Sequence, residues 1–184
     1  MKRTITPLVR GTDVRILAAS VLTGVLVALV VAIFDAVTVE VVYHWLLEQD
    51  LAYQAAGPVV GAVLAFVLLR WVAFGSSGST SDEYVRAFHD RHPSIPLREV
   101  PGKLMAGVAT IGLGGAVGLE GPSIYAGSSM GLGVHSRLGS WLQRDEARLL
   151  LTAGAAAGVA AVFKAPATGV MFAMEAPYRD DVTP

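Results

Sequence analysis

Residues 16–34 form a run without a single ionisable side chain, and this run constrains the fold more than any other feature. As a helix it would rise about 1.5 Å per residue and span roughly 28 Å, enough to cross the hydrocarbon core of a bilayer. Hydrophobic residues make up 53% of the chain and charged residues 16%, a composition too apolar for an ordinary soluble domain. The sequence therefore predicts an all-α, polytopic membrane protein.

Further apolar segments follow the first one. The helical pattern of the first segment continues to about residue 47, and a second apolar segment covers about residues 52–74. Later helices are predicted over residues 83–92, 104–117, 123–138, 149–163 and 167–174. The last two are short for complete spans, and Lys-Ala-Pro at residues 164–166 separates them. Broken or re-entrant helices of this kind are typical of ion sites near the middle of a membrane.

Glycines recur at a spacing of four residues, which places each pair on one helix face. The pairs are Gly57 with Gly61, Gly127 with Gly131, and Gly154 with Gly158. Small residues let the backbones of membrane helices approach closely. We therefore expect these faces to be buried in helix contacts rather than exposed to lipid, and we expect a homodimer formed through helix packing.

Basic residues cluster before the first apolar run: Lys2, Arg3, Arg10 and Arg15. Because positive charge is enriched on the cytoplasmic side of membrane proteins, they predict a cytoplasmic N-terminus. A cleaved signal peptide is disfavoured, since the apolar run is too long for one. We divide the chain into a cytoplasmic tail (residues 1–12), a membrane domain (13–178) and a polar tail (179–184), integral to the cell membrane.

Several classes of function are disfavoured by composition. Cysteine is absent and the four histidines are scattered, so we expect no disulfide, metal site or cofactor. The formal net charge of −1 gives no electrostatic reason to bind nucleic acid. A membrane-embedded enzyme would need an acid–base partner for its carboxylate, and none lies near in sequence. We therefore predict no catalytic residue.

Between residues 104 and 134, Glu120 is the one aspartate, glutamate, lysine, arginine or histidine. A lone carboxylate in a long apolar run is costly to bury in a bilayer and therefore marks a functional site. Gly118 and Gly121 allow a sharp turn, and Pro122 fits the first turn of a helix. The free N–H groups of that turn would face a carboxylate or another anion, so Glu120 would compete with a permeating anion. A helix-capping glutamate at a loop is the alternative.

A second helix start is predicted near residue 82, after a stretch rich in glycine and serine. The Ser79 hydroxyl and the nearby backbone N–H groups would be ligands of an anion there. The alternative is a flexible loop followed by a capped surface helix.

Three motifs resemble those of one known family, the CLC chloride channels and transporters. Gly-Leu-Glu-Gly-Pro at residues 118–122 resembles its Gly-[Lys/Arg]-Glu-Gly-Pro signature. Residues 154–166, from Gly-Ala-Ala-Ala-Gly to Phe-Lys-Ala-Pro, resemble a second CLC segment. Gly-Ser-Thr-Ser-Asp at residues 78–82 falls where the family has Gly-Ser-Gly-Ile-Pro. The resemblance extends from about the first helix to Tyr178.

The resemblance implies roles for individual residues. Glu120 would be the gating glutamate, and Ser79 would help to coordinate chloride, the permeant ligand. Lys164 and Glu175 would lie next to the pathway. The remaining residues implied at the anion site are Gly78, Gly118, Gly121 and Pro122. The resemblance covers only one half of the inverted-repeat architecture of CLC proteins, so a missing second half would be a partner.

The chain also departs from the family pattern. Leu119 replaces a basic residue, Asp82 replaces a proline, and Lys164 stands where an uncharged residue is common. Proton-coupled members carry a Glu-Glu pair where this chain has Glu175 and Ala176. The resemblance therefore favours a voltage-gated chloride channel-like activity with passive conduction. The alternatives are a proton-coupled transporter, a transporter of another anion such as fluoride or nitrate, and a non-conducting fragment.

Overall fold

The computed structural model describes residues 11–178, with side chains from Val14 onward. Within those residues all regular elements are helical, which confirms the all-α prediction. The basic residues Lys2, Arg3 and Arg10 lie outside the described residues, as do nearly all of the predicted N-terminal tail and the whole tail at residues 179–184.

The first two apolar segments form long helices. Helix α1 (Gly11–Asp35) continues without a break through a π-helical segment (Ala36–Tyr43) into α2 (His44–Leu47). A short turn leads to α3 (Leu51–Trp71). In that turn the Gln54 side chain donates to the carbonyl oxygens of Leu47 and Gln49, at 3.0 and 2.9 Å. Because this continuous helix ends at Leu47, the predicted continuation of the first helix to about residue 47 is confirmed.

The rest of the described chain consists of shorter helices. They are α4 (Ser81–His89), α5 (Val100–Gly112), α6 (Glu120–Arg137), α7 (Glu146–Phe163) and α8 (Pro166–Glu175), with single 3₁₀ turns at Leu97–Glu99 and Ala176–Tyr178. The break between α7 and α8 falls at Lys164 and Ala165, as the sequence predicts. Lys164 ends α7 in the left-handed conformation, with φ 53°.

Three stretches of the described chain are long and apolar enough to cross a membrane: Val14–Leu47, Leu51–Trp71 and Glu146–Phe163. The stretch Glu146–Phe163 corrects the prediction that this segment is too short for a complete span, because α7 begins three residues earlier than predicted. Its first turn is polar and is held by a 2.6 Å bond from the backbone N–H of Gln143 to Glu146. With 18 residues, α7 spans roughly 27 Å. The 10 residues of α8 reach roughly half as far.

The glycine faces are buried in helix contacts, as predicted. A side chain at Gly127 would overlap the carbonyl group of Gly154, and one at Gly131 would overlap that of Leu150. A Cβ atom at Gly61 would lie 2.5 Å from the carbonyl oxygen of Ala109. The pairs α6/α7 and α3/α5 therefore touch backbone to backbone within one chain. A homodimer would have to use other faces.

Helix α5 ends earlier than its apolar sequence suggests. The predicted helix continues to residue 117, whereas α5 stops at Gly112. Gly114 has φ 87°, and the N–H groups of Gly114 and Gly115 donate to Ile111 and Thr110, at 2.9 and 2.8 Å. This is a glycine-terminated helix end of the Schellman type. It frees residues 113–119 to form the loop that precedes α6.

Helix α4 packs against α6, α7 and the 3₁₀ turn at Ala176–Tyr178, and it reaches α8 through Tyr84. The Tyr84 hydroxyl donates to the carbonyl oxygen of Ala173 at 2.6 Å. Burial raises the pKa of Tyr84 to about 12. Tyr84 also belongs to a buried cluster with Ile124, Leu151 and Val159. The cluster fixes the start of α4 relative to the start of α6.

Candidate functional site

A cavity of about 550 Å³ lies between α3, α4, α5 and α6, and Phe172 of α8 contributes to its wall. Five of the residues assigned to the anion site from sequence line it together: Gly78, Gly118, Glu120, Gly121 and Pro122. They come from two chain segments about forty residues apart. The cavity is therefore the place where the predicted site residues meet.

The starts of α4 and α6 face each other across one edge of the cavity. Thr80 and Ser81 line it from the first helix start, and Glu120 and Gly121 from the second. A Cβ atom on Gly121 would lie 2.5 Å from Oγ1 of Thr80, so the two segments are in contact. Each helix start carries free N–H groups and the positive end of a helix dipole. Both therefore favour negative charge inside the cavity.

Glu120 is the first residue of α6 and is partly buried. Its carboxylate turns back over its own loop, because a side chain on Gly118 would overlap Oε2 of Glu120. The residue before it, Leu119, has no side-chain group that could cap α6. The first N–H groups of α6 are thus left to the Glu120 carboxylate, to water or to another anion.

Lys103 is a buried cation in the wall of the same cavity. Only 3% of the residue is exposed, and Nζ donates to the carbonyl oxygen of Ser79 at 2.6 Å and to Oε1 of Glu83 at 2.9 Å. Nζ also lies 4.0 Å from the centre of the Tyr125 ring. These contacts tie α5 to the start of α4. They also place a positive charge next to the space between the two helix starts.

Tyr125 and Glu99 extend this network away from the cavity. The Tyr125 hydroxyl donates to Oε2 of Glu99 at 3.1 Å, and Tyr125 is fully buried. Four side chains on three helices and one turn are thus linked: Glu83, Lys103, Tyr125 and Glu99. The network holds the charge of Lys103 in one position, since the lysine cannot move without losing each of these contacts.

Three residues assigned from sequence lie outside the lining of the cavity. The Ser79 hydroxyl donates to Oδ2 of Asp82 at 3.2 Å, although its carbonyl group holds Lys103. Lys164 is exposed at the end of α7, and Glu175 is exposed as the last residue of α8. The roles given to these three residues stay predictions.

Sequence reasoning missed Lys103, Thr80 and Ser81 as wall residues of the cavity. A signal for Lys103 was available. It is the one lysine or arginine between Arg98 and Arg137, and it directly precedes the apolar run that singled out Glu120. The argument applied to a lone carboxylate in an apolar segment applies equally to a lone ammonium group.

The sequence of the chain matches one protein family, described as voltage gated chloride channel, over residues 60–183. The match covers more than half of the chain's 184 residues. The chain belongs to the CLC family. Membership makes it an integral membrane protein, in agreement with its three apolar stretches of spanning length.

A solved CLC structure shares the fold. It is an X-ray crystal structure described as a slow cyanobacterial Cl⁻/H⁺ antiporter, and it is 26% identical to this chain in sequence. The superposition has a TM-score of 0.76 and covers 91% of this chain but 42% of the antiporter chain. The chain thus has the fold of part of a CLC protein and spans less than half the length of that relative.

Proposed function

We propose that this chain forms part of a CLC anion pathway in which chloride is the permeant ion and Glu120 is the gate. The observation that carries the proposal is the cavity in which Glu120, two helix starts and Lys103 meet. Residues of both helix starts and Lys103 line this one cavity. Family membership and the antiporter fold support chloride rather than a larger anionic solute.

Gating follows from competition for the same N–H groups. While ionised, the Glu120 carboxylate is attracted to the start of α6, where it fills the position that an anion would take. Protonation removes that charge and weakens the attraction, since a neutral acid forms weaker hydrogen bonds and gains less from the dipole. The neutral side chain then leaves, and chloride enters in its place.

Lys103 makes the cavity more favourable for an anion without itself being a mobile ligand. Its charge is partly balanced by Glu83, so the pair keeps the cost of burying an ammonium group low. The hydroxyl groups of Thr80 and Ser81, which also line the cavity, add further hydrogen-bond donors. The Ser79 hydroxyl would join them only if it released Asp82 and turned inward.

Passive conduction is our proposal for the mode of transport, because Ala176 replaces the second carboxylate of the Glu-Glu pair. A proton-coupled exchanger is the second candidate. It is favoured by the likeness to a structure described as a Cl⁻/H⁺ antiporter. The two candidates agree on Glu120 and differ in whether each chloride movement carries protons.

The test of the gate is chloride efflux from liposomes that contain the complete native protein, measured between pH 4.5 and 7.5. For the unmodified protein we expect efflux to rise as the pH falls, because protonation releases Glu120. Glu120→Gln should give high efflux with little dependence on pH. An attraction of about 1 kcal/mol between a carboxylate and a helix start corresponds to roughly a fivefold difference in efflux.

Glu48→Gln is the matched control, since Glu48 is exposed in the turn after α2 and does not line the cavity. This variant should keep the unmodified pH profile. If Glu120 is only a helix-capping residue, Glu120→Gln should lower stability modestly and leave the pH profile unchanged. Identical profiles for two folded, conducting proteins would therefore reject the gate.

A further inference from the structure

The Ser79 side chain does not line the anion cavity and is held by its own loop. Its hydroxyl donates to Oδ2 of Asp82 at 3.2 Å, and its backbone N–H donates to Oγ of Ser77 at 3.3 Å. Its carbonyl oxygen accepts a 2.6 Å bond from Nζ of Lys103. The N–H, the carbonyl oxygen and the hydroxyl of Ser79 therefore each have a partner within the protein.

The residues on both sides of Ser79 do line the cavity. They are Gly78 before it and Thr80 and Ser81 after it. Thr80 precedes α4, and its hydroxyl forms no capping bond to that helix. Oγ1 of Thr80 lies instead against the first turn of α6, 2.5 Å from where a Cβ atom of Gly121 would be. The loop thus borders the cavity, while the Ser79 hydroxyl is bonded elsewhere.

A buried cation fixes the backbone of Ser79. Lys103 is 3% exposed, and besides holding the Ser79 carbonyl oxygen it pairs with Oε1 of Glu83 at 2.9 Å. Because these two contacts do not involve Asp82, they remain when the bond between Ser79 and Asp82 is broken. The orientation of the Ser79 hydroxyl is thus the feature that Asp82 controls.

Asp82 stands where the CLC motif has a proline, and a proline side chain offers no hydrogen-bond acceptor. Asp82 is the second residue of α4 and is exposed. A carboxylate accepts a charge-assisted hydrogen bond, which is roughly twice as strong as a bond between neutral groups. The Ser79 hydroxyl has a single proton to donate, so its bond to Asp82 excludes a bond to chloride.

We propose that Asp82 is a positioning residue that keeps the Ser79 hydroxyl out of the anion site and thereby lowers the affinity of the protein for chloride. Like the proposed function on which it rests, this role concerns the ligands of the anion cavity. While Asp82 holds Ser79, chloride meets the two helix starts and the hydroxyl groups of Thr80 and Ser81. Removal of the carboxylate frees Ser79 to rotate toward the cavity and to add one more donor to the anion.

The test is a titration of sodium chloride into the complete native protein, in chloride-free detergent buffer at pH 7.5, followed by calorimetry. Asp82→Ala should tighten chloride binding by about fivefold or more, since a freed hydroxyl donates to a charged ligand. Ser79→Ala should change the affinity by less than about twofold, because the hydroxyl it removes is bonded to Asp82 and not to chloride. In the Ser79→Ala background, Asp82→Ala should keep only the effect of removing a negative charge. We therefore expect a coupling of about threefold or more between the two substitutions.

Asp90→Ala is the matched control. Asp90 follows the last residue of the same helix, and its carboxylate accepts the N–H of His92 at 3.2 Å. Removing this exposed charge should alter the affinity by less than about twofold, with or without Ser79→Ala. Asp82→Pro is a second variant, because proline fits the first turn of a helix and supplies no acceptor. It should tighten binding as Asp82→Ala does.

Two results would overturn the proposal. Additive effects of Asp82→Ala and Ser79→Ala would mean that Asp82 acts through its charge and not through Ser79. A clear loss of affinity in Ser79→Ala alone would mean that the hydroxyl already binds chloride in the unmodified protein. Either result leaves the Glu120 gate untouched. An absence of chloride binding in the unmodified protein and in both Asp82 variants would reject the proposed function as well.

Discussion

Glu120 and Lys103 line the same cavity and carry opposite charges. Their side chains are held in different ways. Glu120 is partly exposed at the start of α6, where the proposed gate requires it to exchange its position with an anion. Lys103 is fixed by a carbonyl oxygen, a carboxylate and an aromatic ring. In the proposed gate, the Glu120 carboxylate would move while the ammonium group of Lys103 stayed in place.

Removal of the fixed charge should cost more stability than removal of the whole ion pair. Lys103→Met leaves Glu83 partly buried without a cation, although the Ser77 hydroxyl still donates to it. Breaking such a pair costs about 3–5 kcal/mol. Adding Glu83→Gln should recover much of the loss, because the uncompensated charge disappears. Unfolding by increasing SDS fraction in mixed micelles measures both variants. Additive effects of the two substitutions would show that the pair does not act as a unit.

At the scale of elements, the closest helix contacts form through backbone atoms rather than through interlocking side chains. Gly127, Gly131, Gly154 and Gly158 line the α6/α7 interface, and no side chain separates the two helices there. The first residues of α6 therefore depend on α7 for their position. Gly158 packs against Ser123 and Ile124, and Ile124 lines the cavity, so this interface helps to shape the cavity wall.

Gly158→Leu should prevent normal folding, since even a Cβ atom at this position would lie 2.8 Å from the carbonyl carbon of Ser123. Overpacking of this kind costs about 1–3 kcal/mol or more. Gly24→Leu is the matched control, because no atom lies within 4 Å of the position that its Cβ atom would take. Yield and elution profile in size-exclusion chromatography measure both. A normal yield of the Gly158 variant would contradict the tight contact.

At the scale of the molecule, large apolar side chains on α1 and α3 face outward, among them Leu17, Val25 and Phe66. This distribution is the reverse of that in a soluble protein and matches a surface in contact with lipid. Because the stretch Val14–Leu47 is long and apolar enough to cross a membrane, we expect the turn at residues 48–50 and the first turn of α1 to lie on opposite sides of it. The homodimer and the cytoplasmic N-terminus predicted from sequence remain proposals.

The orientation of the chain can be measured directly because it contains no cysteine. Thr4→Cys should react with a membrane-impermeant maleimide only after cells are permeabilised, since the positive charge near residue 4 favours the cytoplasmic side. Asp50→Cys, in the turn on the other side of α1, should react in intact cells. The reverse labelling pattern would show that the orientation is inverted.

Transport through the complete protein should carry few or no protons, because Ala176 cannot accept one. The reversal potential for chloride should then follow the chloride gradient alone and remain constant when the proton gradient is changed. Ala176→Glu, which restores the carboxylate pair, is the informative variant beside it. A reversal potential of the unmodified protein that shifts with the proton gradient would establish exchange instead of conduction.

Sequence reasoning predicted the helices well because a membrane imposes length and hydropathy on each one. The positions of α1 and α3, the break at Lys164 and the buried glycine faces are all readable in this way. The contact between Thr80 and Gly121 cannot be predicted from the sequence, because it depends on how helices from distant parts of the chain cross. The early end of α5 depends on the backbone angles of Gly114, which an apolar sequence does not reveal.

The π-helical segment Ala36–Tyr43 is the part of the first membrane span where we expect deletion of a single residue to be tolerated. A π-helix bonds each N–H five residues back and so holds more residues per turn than an α-helix. Deleting one residue there lets the segment close as an α-helix, and the buried faces on either side keep their alignment. The same deletion within Gly11–Asp35 would rotate every later residue by about 100°. Homologous genes should therefore accumulate single-codon deletions in this segment and not in the helix before it.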